Sequence, residues 1–143
     1  MTDIRHIIES DLDGIAEIEE RVFRHPWSKQ QIAECLQHDK ISVNLAAREG
    51  EKIVGYLFAL DTGKEAQILN IAVDLPHQHR GYGQKLMKAF FTSIQEDSHV
   101  SLEVRKSNLP AIKLYSEFGF ETVGEREHYY PDGEDALVMT KEM

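Results

Sequence analysis

Of all segments in this chain, Gln78-His79-Arg80-Gly81-Tyr82-Gly83 is the one best suited to hold a ligand. Its two glycines let the backbone come close to a bound group, and a helix starting near Gly83 leaves unpaired N–H groups at the positive end of its dipole. Such a place binds phosphate without a positively charged protein, and Arg80 adds a guanidinium able to pair with a phosphate oxygen. No Gly-Lys-Ser/Thr is present, so this is not a Walker loop, and Leu86 stands where a dinucleotide fingerprint needs its third glycine. On Gly81 and Gly83 alone, a plain turn feeding a helix is the competing reading.

Other residues could move protons. In Val100-Ser101-Leu102-Glu103-Val104, alternation puts Val100, Leu102 and Val104 on one strand face and Ser101, Glu103 and Arg105 on the other. A carboxylate in mid-domain is costly unless solvated, paired or used. Glu103 is therefore a candidate base, or one half of a salt bridge with Arg105 on a wet face. Tyr115 shares a helix face with Ile112 and with Phe118 or Gly119, and by itself reads as a core aromatic with a polar tip. Trp27, after Pro26, and the pair Tyr129-Tyr130 are rigid apolar pieces in expected loops, where packing of loop ends is the plain alternative. His77-x-His79 lacks a nearby cysteine or a placed carboxylate; both are expected as solvated loop residues, and no metal is expected. Cys35 is expected half-buried on a short helix, with nothing beside it to activate a thiolate.

The frame for these residues follows from periodicity. Ile4 to Ile8 reads as a first strand, and Leu12, Ile15, Ile18 and Val22 recur at helical steps after Ser10. His25-Pro26-Trp27 breaks that helix, and Ser28 with Gln31 forms a capping-box pattern starting a shorter one through about Leu36. Val43 to Arg48 and Ile53 to Thr62 read as strands joined by a turn at Glu49-Gly50-Glu51-Lys52, and Gln67 to Val73 as a third apolar run. A helix from about Gly83 buries Leu86, Met87, Phe90, Phe91 and Ile94, and Val100 to Val104 forms the next strand. Asn108 is a good N-cap with Pro110 in the first turn of a helix that stops before Gly119. Glu121 to Arg126 and Ala136 to Thr140 complete the strands. The order predicts a mixed α/β domain spanning residues 1–143, with no linker or repeat.

Composition limits the partners. A chain of 143 residues suits one domain, and a net charge of −9 disfavours direct binding to DNA or RNA. No apolar run is long enough to span a bilayer, and the N-terminus lacks the apolar core of a signal peptide. The single cysteine excludes an intramolecular disulfide and suits a reducing cytoplasm.

The loop from Gln78 to Gly83 resembles the coenzyme A pyrophosphate loop of the GCN5-related N-acetyltransferases, Gln/Arg-x-x-Gly-x-Gly/Ala, at every fixed position. Asn70-Ile71-Ala72-Val73-Asp74 is similar to that family's central strand, and Leu114-Tyr115-x-x-x-Gly119-Phe120 to its later helix-to-strand element. Four further pieces resemble the RimI-type ribosomal protein alanine N-acetyltransferases: His25-Pro26-Trp27-Ser28, Leu102-Glu103-Val104-Arg105-x-Ser107-Asn108, Ala111-Ile112-x-Leu114-Tyr115, and Tyr129-Tyr130-Pro131 with Glu134-Asp135-Ala136-Leu137. Two departures are a short connection, Glu96 to His99, and a hairpin one residue shorter between Gly133 and Glu134.

The resemblance implies a single three-layer acyl-CoA N-acyltransferase fold and acetyl-CoA as co-substrate. It implies cofactor contacts from Ile71, Ala72 and Val73, from His79, Arg80, Gly81, Tyr82, Gly83 and Gln84, and from Asn108. Glu103 would be the proton acceptor and Tyr115 the group beside the thioester sulfur. Trp27, Tyr129 and Tyr130 would flank an N-terminal acceptor peptide, foremost the N-terminal alanine of a small-subunit ribosomal protein. The alternatives are the same chemistry on a small amine or lysine, and a non-catalytic acyl-CoA-binding module. A free α-amine, with a pKa of about 7.7–8.0, needs only a modest base, whereas a lysine near 10.4 needs more.

Overall fold

The computed structural model describes residues 2–37 and 40–142. Alternating and helical patterns resolve in chain order into β1 (Thr2–His6), α1 (Leu12–Val22), α2 (Lys29–Cys35), β2 (Ser42–Glu49), β3 (Lys52–Asp61), β4 (Glu65–Val73), α3 (Tyr82–Ser93), β5 (His99–Arg105), α4 (Leu109–Glu117), β6 (Glu121–Arg126) and β7 (Ala136–Glu142). The strands form one sheet in the order β1-β2-β3-β4-β5-β7-β6. Only the β4–β5 pair is parallel; the other neighbours are antiparallel. This is the expected mixed α/β sheet.

Local chemistry explains the boundaries. β1 closes before Ile7 and Ile8, because the Asp11 carboxylate accepts the Ile8 N–H at 2.9 Å and turns the chain into α1. The capping box forms as its residues dictate, Ser28 Oγ accepting the Gln31 N–H at 3.1 Å and Gln31 Oε1 the Ser28 N–H at 2.7 Å. Asn108 Oδ1 accepts the Ala111 N–H at 3.3 Å, with Pro110 in the first turn of α4. The short connection before β5 closes on the β3–β4 turn: Ser98 Oγ donates to the Gly63 carbonyl at 3.0 Å and the His99 N–H to that of Lys64 at 2.7 Å.

Each sheet face carries its own core. Val54, Leu57, Leu86, Met87, Phe90, Val100, Leu102 and Met139 pack together on the side of α3 and α4. Ile15, Ile18, Ile32, Tyr56 and Phe58 pack on the side of α1 and α2. Period-two alternation along β5 thus sends Val100, Leu102 and Val104 into the first core and turns Ser101, Glu103 and Arg105 to the opposite face.

The sheet opens in the middle. β4 and β5 pair only from Glu65 opposite His99 to Ile68 opposite Leu102. At the next residue β4 is bulged: Ile68 lies opposite Ala59 and Asn70 opposite Phe58, leaving Leu69 without a partner on β3. A bulge bends its strand and sharpens the local twist. Beyond it Asn70–Val73 stay with β3 while Glu103–Arg105 stay with β7, so the two parallel strands part as a wedge.

Candidate active site

A cavity of about 320 Å³ occupies this wedge. Leu69, Asn70 and Ile71 of β4 form one wall, and Glu103, Val104 and Arg105 of β5 another. Asn108 and Tyr115 close it from α4, and Trp27 and Tyr130 from the loops after α1 and before β7. Six sequence-predicted residues from five separate parts of the chain therefore meet there: Trp27, Ile71, Glu103, Asn108, Tyr115 and Tyr130. A neighbouring cavity of about 440 Å³ shares Trp27, Glu103 and Tyr130 and adds Tyr129.

Glu103 presents its carboxylate to this space, its side chain 16% exposed. Gln67 Nε2 donates to Oε2 at 3.1 Å, and Arg126 Nε lies 3.3 Å from Oε1. A carboxylate has about four lone-pair sites, so acceptor capacity remains beyond these two partners. The salt-bridge partner is thus Arg126 of β6 and not Arg105, which sequence adjacency had suggested. Arg105 turns to the β6–β7 loop instead, donating to Asp132 and Glu134, each at 2.9 Å. Its guanidinium also stacks 4.0 Å from the centre of the Tyr130 ring. Bonding to Arg105 holds the Asp132 carboxyl below the usual carboxylate range; Glu134 is held low by hydrogen bonding to Ser107, its side chain foremost, and by Arg105. Burial pushes the Tyr130 phenol up to about 12.

Tyr115 is 5% exposed and leans on Phe120, ring centres 5.8 Å apart. Burial pushes its phenol well above the ordinary range, so it stays protonated as a hydrogen-bond donor. Trp27 is half-buried and packs against Phe58 at 5.7 Å while lining both cavities, so packing and a site role coexist in one side chain.

The glycine loop lies beyond the far end of β4, outside both cavities. Helix α3 begins at Tyr82, one residue earlier than glycine spacing suggests. Gly81, its N-cap, has φ +85° and makes no side-chain cap, so main chain rather than a side chain lines the entry into α3. A Cβ there would meet nothing within 4 Å. The loop can therefore receive a diphosphate on main-chain N–H groups, with exposed His79, Arg80 and Gln84 around it. Gln78 braces the approach, donating to the Val73 carbonyl at 2.9 Å. Gly83 serves packing: a Cβ would sit 3.2 Å from Leu114 Cδ2 of α4. The Tyr82 side chain turns inward, its hydroxyl donating to Glu49. His77 is not solvated as expected; its side chain is 12% exposed, against Glu49 and the Tyr82 ring. Ala72 and Val73 continue β4 opposite Tyr56 and Gly55. No cluster of metal-ligating side chains occurs among the described residues.

Sequence reasoning missed Glu19. It is 1% exposed on α1 and lines the wedge cavity. Its carboxylate accepts the Trp27 N–H at 2.8 Å, the Asn70 amide at 2.8 Å and the Tyr56 hydroxyl. Burial raises its proton affinity above that of an ordinary glutamate. The available signal was its place four residues after Ile15 and three before Val22, on the apolar stripe of α1.

Residues 12–120 match the acetyltransferase (GNAT) family. The chain is 35% identical over 142 residues to the [ribosomal protein bS18]-alanine N-acetyltransferase of Haemophilus ducreyi, spanning 95% of this chain and 97% of that one. It superposes on the crystal structure of the ribosomal-protein-S18-alanine N-acetyltransferase from Escherichia coli with a TM-score of 0.89 and 32% identity, covering 99% of this chain and 94% of the other. Ard1 from Thermoplasma volcanium also superposes with a TM-score of 0.89, at 25% identity, over 99% of this chain and 97% of its own. With a glycine-started helix behind a parted pair of parallel strands, and with these relatives along nearly its whole length, the chain belongs to the GNAT acetyltransferase family.

Proposed function

We propose that this protein transfers the acetyl group of acetyl-CoA to the α-amine of a protein N-terminus, foremost the N-terminal alanine of ribosomal protein bS18. The observation that carries this reading is the wedge between β4 and β5, with Glu103 on one side, Tyr115 on another and the uncapped start of α3 beyond the end of β4. The chemistry of these groups fits acetyl-CoA. The α3 amides and Arg80 suit a diphosphate, and the edge of β4 at Ile71, Ala72 and Val73 suits an extended amide arm that pairs as a strand would. Asn108 contributes at the same wall while its side chain caps α4.

When bound, acetyl-CoA supplies a thioester carbonyl open to attack by an amine. Glu103 takes the proton from the acceptor amine, a modest demand for an α-amine whose ordinary pKa is about 7.7–8.0. A backbone N–H on Ile71–Val73 steadies the developing oxyanion, available because β4 has no strand neighbour on that edge past Ile68. Tyr115 donates a hydrogen bond toward the departing sulfur. Burial makes its proton harder to surrender, so donation rather than full transfer is its task.

The acceptor enters between Trp27 and the pair Tyr129-Tyr130, beside the carboxylates of Glu34 and Asp132. With a net charge of −9, this mouth suits a basic peptide better than a nucleic acid. No helix among the described residues is long and apolar enough to cross a membrane. A ribosomal acceptor and a lone cysteine fit action in the cytoplasm.

Acetylation of a peptide panel varying only the first residue, run beside polyamines and lysine side chains, tests the reading. Preference for the N-terminal alanine peptide is expected. Preference for small amines would reassign the acceptor, and tight acetyl-CoA binding without turnover on any amine would overturn catalysis.

A further inference from the structure

The Glu19 carboxylate joins three elements that the chain separates widely. Its donors are the Trp27 backbone in the loop after α1, Tyr56 of β3 and Asn70 of β4. All three are neutral, and no cation pairs with Glu19 among the described residues. Burying a carboxylate among neutral donors is costly, and an apolar side chain of similar volume would fill the same space without that cost. What an apolar side chain cannot do is fix the loop and the strand to each other by direction. Trp27 lines both cavities, while Asn70 directly precedes Ile71 and follows the bulge at Leu69.

We propose that Glu19 is the positioning residue of the acceptor side: its carboxylate sets the distance between the Trp27 loop and the β4 edge, and so the width of the channel through which the N-terminus reaches Glu103. This rests on the acetyl-transfer reading and extends it. Glu19 touches neither reacting group and acts through Trp27 and Asn70.

The test measures KM for an N-terminal alanine peptide and for acetyl-CoA separately, together with the emission of Trp27, the chain's single tryptophan. Glu19→Ala raises the peptide KM about tenfold, equivalent to ~1.4 kcal/mol, and leaves the acetyl-CoA KM nearly unchanged. Trp27 emission shifts to the red as its loop loosens. Should that variant not fold, a paired exchange decides. Asn70→Asp alone sets two carboxylates against each other and raises the peptide KM. Adding Glu19→Gln lets the new amide donate to Asp at position 70 and restores much of the affinity. Equal rises in both KM values, unchanged Trp27 emission in folded Glu19→Ala, or a double variant no better than Asn70→Asp would each overturn the assignment. If the wild type acetylates no N-terminal peptide, the acetyl-transfer reading fails by itself, and the emission of Trp27 still decides whether the clamp exists.

Discussion

The two ends of the wedge are built from different materials. At the α3 end the surface on offer is main chain, a left-handed Gly81 and an edge of β4 that lacks a neighbour past Ile68. At the other end they are side chains from α1, α2, β4, β5 and the β6–β7 loop, held by bonds such as Arg105 to Asp132 and Glu19 to Trp27. A site made of backbone needs only the right turn, so it tolerates most side chains and recognises one constant ligand. A site made of side chains changes with each substitution. The fold can therefore keep the donor fixed while the acceptor varies.

The sharpest separation of the two ends comes from Glu103→Gln. Removing the proposed base lowers kcat on the peptide by about 10²- to 10⁴-fold while acetyl-CoA affinity, measured by calorimetry, stays near that of the wild type. A parallel loss of cofactor affinity would mean that the two ends are not separable. Tyr115→Phe follows. It keeps the ring against Phe120 and deletes one hydrogen bond to a group gaining charge, so kcat falls about ten- to hundredfold with little change in thermal stability. A drop in stability with kcat unchanged would make Tyr115 a packing residue.

A third variant tests the brace between the ends. Asp74 follows β4, caps the next turn through Leu75 N–H, and takes two hydrogen bonds from Arg21 of α1, at 2.9 and 2.8 Å. Bonding to Arg21 holds its carboxyl below the usual range. A depressed folded pKa means the stabilisation is present above the unfolded value of about 3.9 and is lost as pH falls through the folded one. Asp74→Asn therefore costs about 1–2 kcal/mol at neutral pH, and the gap to wild type closes as unfolding is measured at progressively lower pH. A gap that persists in acid would assign the cost to the turn rather than to the ion pair.

The same contrast decides what could be read before folding. The glycine loop, the capping box at Ser28 and the Asn108 cap are local, and local spacing carries their physics. Alternation alone placed Glu103 on the face away from Leu102, but named the wrong partner, because Arg126 reaches it from β6 across the sheet. Periodicity does not reveal the wedge, because its physical origin, the unpaired Leu69, depends on register with β3 and leaves no mark in the residues of β4. Glu19 stood in view as a charge on an apolar stripe, but its three donors come from positions 27, 56 and 70 and meet only in the folded chain. His77 misled for the same reason: its neighbour Glu49 belongs to a hairpin far back in the chain.

The smallest expected effect bears most directly on the backbone end. Gly81 has φ +85°, and a Cβ at that position would meet nothing within 4 Å. Gly81→Ala thus introduces no clash, and its whole cost is the left-handed backbone, about 1 kcal/mol for an L-residue. If main-chain geometry recognises the diphosphate, the acetyl-CoA KM rises severalfold as the α3 amides tilt, while the peptide KM and kcat at saturating acetyl-CoA hold. Gly83→Ala is the companion, because there the added methyl presses on Leu114 and the loss appears first in thermal stability. Should Gly81→Ala alter the peptide KM instead, the glycine loop would be acting through the acceptor side, and the division between a backbone-made donor end and a side-chain-made acceptor end would not hold.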